Sequence, residues 1–253
     1  MTVARRVAGG AGRLQEDADL ETSSEAYTRR FAGDVGRWFL ELQTRSMREL
    51  LGELPRGSSI LDVGGGHGQI APALVGAGHT VTILGSSQAC AAHLESRMGG
   101  AAFRFEVGDL RALPFPDRAF TVVTCFRLLP HSVDWRHLMG ELCRVAELAV
   151  VADYPSRRSV NQFANRFFSF KRRAERNTRP FELFDPGEIE QELGHHGFEV
   201  RAERPQFLLP MVLYRMAGSD RLGRLAEQPG RWLGLTRYFG SPVITRADRR
   251  RSA

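Results

Sequence analysis

The sequence predicts an α/β fold built on a doubly wound, mostly parallel sheet, and three observations carry that prediction. Short apolar runs rich in β-branched residues alternate with amphipathic stretches of helical length. The first such run ends in an acid and is followed at once by glycines at alternate positions, Gly64, Gly66 and Gly68. At 253 residues the chain is long enough to bury one large core, and a single sheet of this kind uses most of it.

The elements follow in order. Residues 27–54 read as a helical cap, with Phe31, Val35, Phe39, Leu40, Met47 and Leu50 near one face. Residues 59–63 read as a buried parallel strand and 69–75 as the helix after it. The glycines therefore occupy the strand-to-helix turn at the carboxyl edge, where open α/β sheets bind ligands. There Gly64 takes a positive φ, Gly66 lets a ligand approach the backbone, and Gly68 lets the helix pack closely. Strands are expected at 80–84 and 101–107, the latter running into Gly108-Asp109-Leu110, and at 120–125 after the loop Leu113-Pro114-Phe115-Pro116-Asp117. A helix at 134–145, a strand at 148–152, a helix at 186–195 and a strand opening at 197–200 complete the alternation. Residues 241–245 are expected to supply an antiparallel seventh strand. Two aromatic-rich excursions, 156–184 and 205–240, exceed what such a sheet needs; the second contains an expected helix over 220–227.

Spacing separates the cofactor loops that this turn resembles. A dinucleotide loop, G-x-G-x-x-G, would place its third glycine where Gln69 stands, and a phosphate loop needs Gly-Lys-Ser/Thr, whereas the sole lysine is Lys171. Asp62-x-Gly64-x-Gly66-x-Gly68 instead resembles the first motif of class I S-adenosylmethionine-dependent methyltransferases, small-molecule branch (methyltransferase type 11-like). The resemblance runs in fold order over about residues 25–200. It implies a Rossmann-like methyltransferase fold of seven strands with helical lid insertions, and S-adenosyl-L-methionine as cofactor. It also implies a cofactor site of Asp62, Gly64, Gly65, Gly66, Gly68, Gly85, Ser86, Asp109, Leu110 and Phe126. In that scheme Asp62 meets the methionyl ammonium, Asp109 the adenine amino group, and 126–131 lines the methyl-transfer site. The departure is Gly85, where most members carry an acid that binds both ribose hydroxyls; the next acid along the chain is Glu95, too far into the following helix. Ser86, Ser87 or backbone groups would then serve the ribose. The plain alternative is a glycine-rich turn with no ligand.

His131 after the fourth strand and Asp153 after the fifth stand at the edge where a base would act, and both are expected as catalytic candidates. Each also has a structural reading: His131 as a helix cap, Asp153 as the anchor of the 156–158 turn. His67 is expected to shape the glycine turn. Tyr27, Phe31, Tyr154, Arg179 and Phe181 are the expected substrate-binding residues, with Arg30 and Trp38 as further pocket candidates. No metal is expected, because Cys90, Cys125 and Cys143 are odd in number, lack paired spacing and read as core thiols of a reducing cytosol.

The net charge of +6 and pI near 9.9 suit a polyanion, but arginine replaces lysine almost throughout. Basic residues interleaved with aromatics fit solvated lid helices, a peripheral membrane contact, or an RNA path. RNA is less favoured, because no Asn-Pro-Pro-Tyr run is present. No apolar run reaches transmembrane length, and 207–214 is the longest. Residues 1–24 read as a disordered tail without a secretory signal, preceding a methyltransferase domain over 25–253. The expected protein is cytoplasmic, or peripheral to the membrane. It transfers a methyl group to a small, largely apolar metabolite by O- or C-methylation. The alternatives are an RNA methyltransferase and a non-catalytic binding protein on the same fold.

Overall fold

The computed structural model describes residue 19 and residues 31–52, 54–66, 68–94, 98, 102–159 and 181–250. Tyr27, Arg30, His67, Glu95 and Arg179 lie outside them, as do the rest of 1–24 and most of the first excursion.

Helix α1 (Gly33–Leu51) precedes strand β1 (Ser59–Val63), after which come α2 (Ala71–Gly76), β2 (Thr80–Gly85), β3 (Arg104–Val107) and β4 (Phe120–Cys125). Then follow α3 (Trp135–Val145), β5 (Ala146–Tyr154), α4 (Pro186–His195), β6 (Phe198–Phe207), α5 (Met211–Ala217), α6 (Asp220–Trp232), α7 (Leu235–Phe239) and β7 (Ser241–Arg249). Short 3-10 helices follow β2 (Gln88–His93) and β4 (Leu129–His131). The seven strands form one sheet in the order β3-β2-β1-β4-β5-β7-β6. Neighbours from β3 to β5 are parallel, whereas β7 runs antiparallel to both β5 and β6.

Helices cover both faces, so the central strands are apolar along their length rather than alternating; Ile60, Leu61 and Val63 of β1 have no exposed surface. One face packs against α3 and α4 through Trp135, Leu138, Met139, Leu142, Ile189 and Leu193. The other packs against α1 and α2 through Met47, Leu50, Leu51 and Leu74. Helix starts are fixed by local chemistry. Asp134 accepts from the His137 amide at 3.1 Å, and a reciprocal capping box joins Asp185 and Glu188 ahead of Pro186.

Several elements run further than local pattern predicts. Strand β6 reaches Phe207 through Glu199, Arg201 and Glu203 because pairing with β7 supplies its ladder, and a charged edge strand carries little apolar periodicity. Pro205 is therefore inside β6, opposite Val243, and the second excursion leaves the sheet after Phe207 rather than at 205. Helix α6 continues past Glu227 to Trp232 with Pro229 inside it. All three cysteines are free and buried, burial pushing the Cys143 thiol up to about 12. No described helix is long and apolar enough to cross a membrane, and no metal-binding group of His, Cys, Asp or Glu occurs among the described residues.

Candidate active site at the carboxyl edge of the sheet

Strand order reverses between β1 and β4, and a crevice for ligand opens at such a switch point. Asp62 and Thr124 face each other in register across it. The Thr124 hydroxyl donates to Asp62 Oδ1 at 2.9 Å, while Oδ2 is buried without a protein partner. The turn above is built of glycine for steric reasons. Gly64 has φ of 72° and donates its amide to Leu84 O at 2.8 Å, and Gly68 has φ of 56° and donates to Gly65 O at 2.7 Å. A Cβ on Gly65 would fall 2.0 Å from Asp62 Oδ2, so only glycine lets the carboxylate lie against the loop. Burial pushes the Asp62 carboxyl up to about 7, with the Thr124 hydrogen bond acting in the opposite direction. An orphaned buried carboxylate oxygen beside a side-chain-free loop suits a ligand that brings a cationic amino group.

The end of β2 explains the missing acid. A Cβ on Gly85 would lie 3.0 Å from both Cys90 Cβ and the Phe105 ring, leaving no room for a carboxylate side chain without repacking. An acid nonetheless stands there, from far upstream. Asp19, fully buried, accepts from the Ser86 amide at 2.7 Å and the Ser86 hydroxyl at 2.5 Å, with Cys90 Sγ 3.3 Å away. Asp19 falls in the stretch expected as a tail, where nothing in the local pattern marks it out. At the end of β3, Asp109 accepts from the Arg111 amide at 2.8 Å and Leu110 is buried. Ser87 caps the 3-10 helix through the Ala89 amide, and Phe126 joins the core beside α1 and α2.

Beyond β4 the chain is held by Arg127, in the left-handed region at φ 60°, uncommon for a residue with a Cβ. Its amide donates to Asp153 Oδ1 at 2.5 Å, its guanidinium lies 3.9 Å above the Phe31 ring, and Nη2 donates to Gln43 Oε1 of α1. Arg127 thus ties the helical cap to the carboxyl ends of β4 and β5. Arg127 Nη1 and Gln43 Nε2 are buried there without protein partners. Burial raises Asp153 to about 6, against the hydrogen bond and positive charge of Arg127. Asp153 serves this contact; the 156–158 turn is held instead by Ser156, whose amide donates to Ser241 Oγ at 3.2 Å.

His131 ends a 3-10 helix, its ring 5.5 Å from that of Phe181, and the Glu182 amide donates to Pro130 O at 2.9 Å. The cap of α3 is Asp134, not His131. Among the expected site residues, the edge thus joins Phe31 to Asp153 through Arg127, and His131 to Phe181. Tyr154 is not with them. It is fully buried against Phe184 and donates its hydroxyl to Glu203 Oε1 at 2.8 Å, with burial pushing the phenol well above its ordinary range. Thr124, Gln43 and Asp19 stand at this edge without having been singled out from the sequence, and Arg127 was covered only as part of 126–131. Thr124 had a legible signal, since a hydroxyl inside an apolar strand needs a buried partner.

A seven-stranded sheet with an antiparallel β7 between β5 and β6, and an acid-glycine loop at its switch point, is the Rossmann-like fold of class I methyltransferases. Residues 60–147, from β1 into β5, match the sequence model of a family described as Methyltransferase domain. Comparison with curated protein sequences returns no match. Among solved structures, magnesium protoporphyrin IX methyltransferase from Synechocystis with bound SAH aligns at TM-score 0.64 and 17% identity, over 92% of this chain and 98% of that one. The same enzyme is also solved with bound SAM. A complex of the Haloferax volcanii Trm112 methyltransferase activator with its candidate methyltransferase aligns at TM-score 0.63 and 15% identity, over 94% of this chain and 100% of that chain. The [4+2]-cyclase SpnF aligns at TM-score 0.57 and 18% identity, over 86% and 82%.

Proposed function

We propose that this protein transfers a methyl group from S-adenosylmethionine to a small, largely apolar metabolite, by O- or C-methylation. The observation that carries the reading is the orphaned Asp62 Oδ2 against Gly65, an anionic, side-chain-free recess inside a matched methyltransferase domain. Asp62 would hold the amino group of the cofactor, the turn 64–68 its backbone-lined side, and Asp109 with Leu110 the far end beyond β3. Bound there, the sulfonium supplies an already activated methyl group. The residues around it then have to align the acceptor and exclude water. Phe31, His131 and Phe181 give the acceptor side an aromatic character, which favours an apolar molecule over a nucleic acid. Asp153 and His131 are the groups able to take a proton where the acceptor carries one. The reading goes with a cytoplasmic protein, or one peripheral to the membrane.

The test is calorimetric titration of the purified protein with S-adenosylmethionine and S-adenosylhomocysteine. Saturable binding is expected, and Asp62→Ala should weaken it at least about tenfold, about 1.4 kcal/mol. Binding that is untouched by the substitution would move the site elsewhere.

A second reading, a binding scaffold without methyl transfer, draws on the absent side-chain acid at Gly85. SpnF, described by its cyclase activity, has a similar fold. Saturable cofactor binding with no methyl transfer to any acceptor in a metabolite and RNA screen would favour it.

A further inference from the structure

Helix α6 is turned inside out. Its buried positions are Gly223, Glu227 and Gly230, whereas Leu222 and Leu225 are 57% and 59% exposed and Trp232 is 89% exposed. The buried side is held too closely for the helix to roll over. A Cβ on Gly223 would lie 2.5 Å from the Trp38 ring, and one on Gly230 2.4 Å from Leu208 Cδ2. Glu227 Oε1 accepts from the Leu208 and Leu209 amides at 2.8 and 3.1 Å and from the Tyr214 hydroxyl. The apolar surface continues onto both neighbours, through Met216 on α5, Leu233 in the turn, and Tyr238 and Phe239 on α7, all exposed. A water-soluble surface helix has the reverse arrangement, and exposed apolar surface on this scale marks a docking face.

The charges choose the occupant. From 211 to 239 the chain carries Arg215, Arg221, Arg224, Arg231 and Arg237 against Asp220 and Glu227; Glu227 is spent inside, Arg224 pairs with Asp220 and with Glu41 of α1, and Arg231 donates to Gln206 O, so the positive charge offered outward rests chiefly on Arg221 and Arg237. A second copy would set like charges against each other. A surface with negative headgroups over hydrocarbon matches both features, with leucines and aromatics entering the boundary and arginines meeting the phosphates. We propose that α5, α6 and α7 form a docking face for an anionic lipid bilayer. Strand β6 is parallel to β5, both pairing antiparallel with β7. Its end at Phe207 therefore sends this face out from the same sheet edge as the glycine turn. A methyl acceptor dissolved in lipid would thus be delivered on the catalytic side; that last step rests on the methyltransferase reading, whereas the docking does not.

The probe is vesicle co-sedimentation of the full chain, with pure phosphatidylcholine against phosphatidylcholine containing about one-third phosphatidylglycerol. Binding to the anionic vesicles alone is expected, with a blue shift of emission from Trp232, because Trp38 and Trp135 are buried. Leu225→Ser combined with Trp232→Ser, and separately Arg221→Glu with Arg237→Glu, should each reduce partitioning at least tenfold. Melting temperature and S-adenosylhomocysteine affinity should stay at parental values. No partitioning by the parent, or partitioning equal in all variants, overturns the proposal. So does a concentration-dependent dimer that the Leu225/Trp232 variant abolishes, which would make the face a contact between copies. Vesicle binding without cofactor binding would sink the methyltransferase reading and leave the docking face standing.

Discussion

Asp62 and Thr124 share a hydrogen bond of 2.9 Å across the point where strand order reverses, and it satisfies only one of the two buried carboxylate oxygens. Desolvation dominates the remaining balance and raises the carboxyl from 3.8 to about 7. A carboxyl whose native value is raised favours the protonated fold. Its stabilising contribution is whole in acid and is lost as pH rises from about 4 to about 7. Asp62→Asn removes that loss, so the variant should gain melting temperature over the parent at about pH 8 and lose the advantage near pH 4. A cationic amino group from the ligand reverses the preference and should expel the proton. Titrations in buffers of different ionisation enthalpy should therefore register proton release when S-adenosylhomocysteine binds below about pH 7. Binding without proton release there would show that Asp62 does not face the amino group.

Asp19 and Gly85 form a second linked pair. Since Asp19 accepts from both the amide and hydroxyl of Ser86, it orders the turn that ends β2. Asp19→Ala should remove the acceptor shared by both Ser86 donors, lower the melting temperature by an amount of the order of 1–3 kcal/mol in stability, and weaken S-adenosylhomocysteine binding several-fold. Gly85→Asp should destabilise the fold without improving affinity, because the new side chain meets Cys90 and Phe105. Tighter cofactor binding by Gly85→Asp would instead show that the recess accepts an acid at the usual position.

The strength of local signals decided what could be read along the chain. Strands β1 and β4 and helix α4 match expectation at both ends, because burial on both sheet faces or a capping box writes an unambiguous local pattern. The acid-glycine turn was legible through Gly64 and Gly68, which take positive φ, whereas the steric demand at Gly65 comes from Asp62 Oδ2 and has no counterpart in the alternate spacing. Strands β6 and β7 run longer than expected since their ladders join charged residues whose strand state depends on the partner. Asp19 reaches Ser86 across 67 positions and Arg127 reaches Gln43 across 84, and no periodicity encodes such contacts. Tyr154, placed by sequence at the site edge, turns inward because Glu203 on β6 offers its hydroxyl a partner.

Asp153 and Arg127 make the last pair testable. Burial holds the Asp153 carboxyl at about 6, and the Arg127 amide and charge keep it from rising further. If Asp153 takes the proton from the acceptor, the transfer rate should climb with a single ionisation near pH 6 and level off above it. Asp153→Asn should abolish that limb while S-adenosylhomocysteine affinity stays within about threefold. Arg127→Met removes the positive charge but keeps a backbone amide able to bond Asp153, so it should move the limb to higher pH. It should also loosen the helical cap, because the contacts to Phe31 and Gln43 go with the guanidinium. The pH profile of methyl transfer separates the roles. A limb that survives Asp153→Asn assigns the base to another group, His131 first, and leaves Asp153 as the anchor of Arg127. A limb that Arg127→Met leaves in place would mean that the Arg127 amide, rather than the guanidinium charge, keeps the Asp153 carboxyl from rising further.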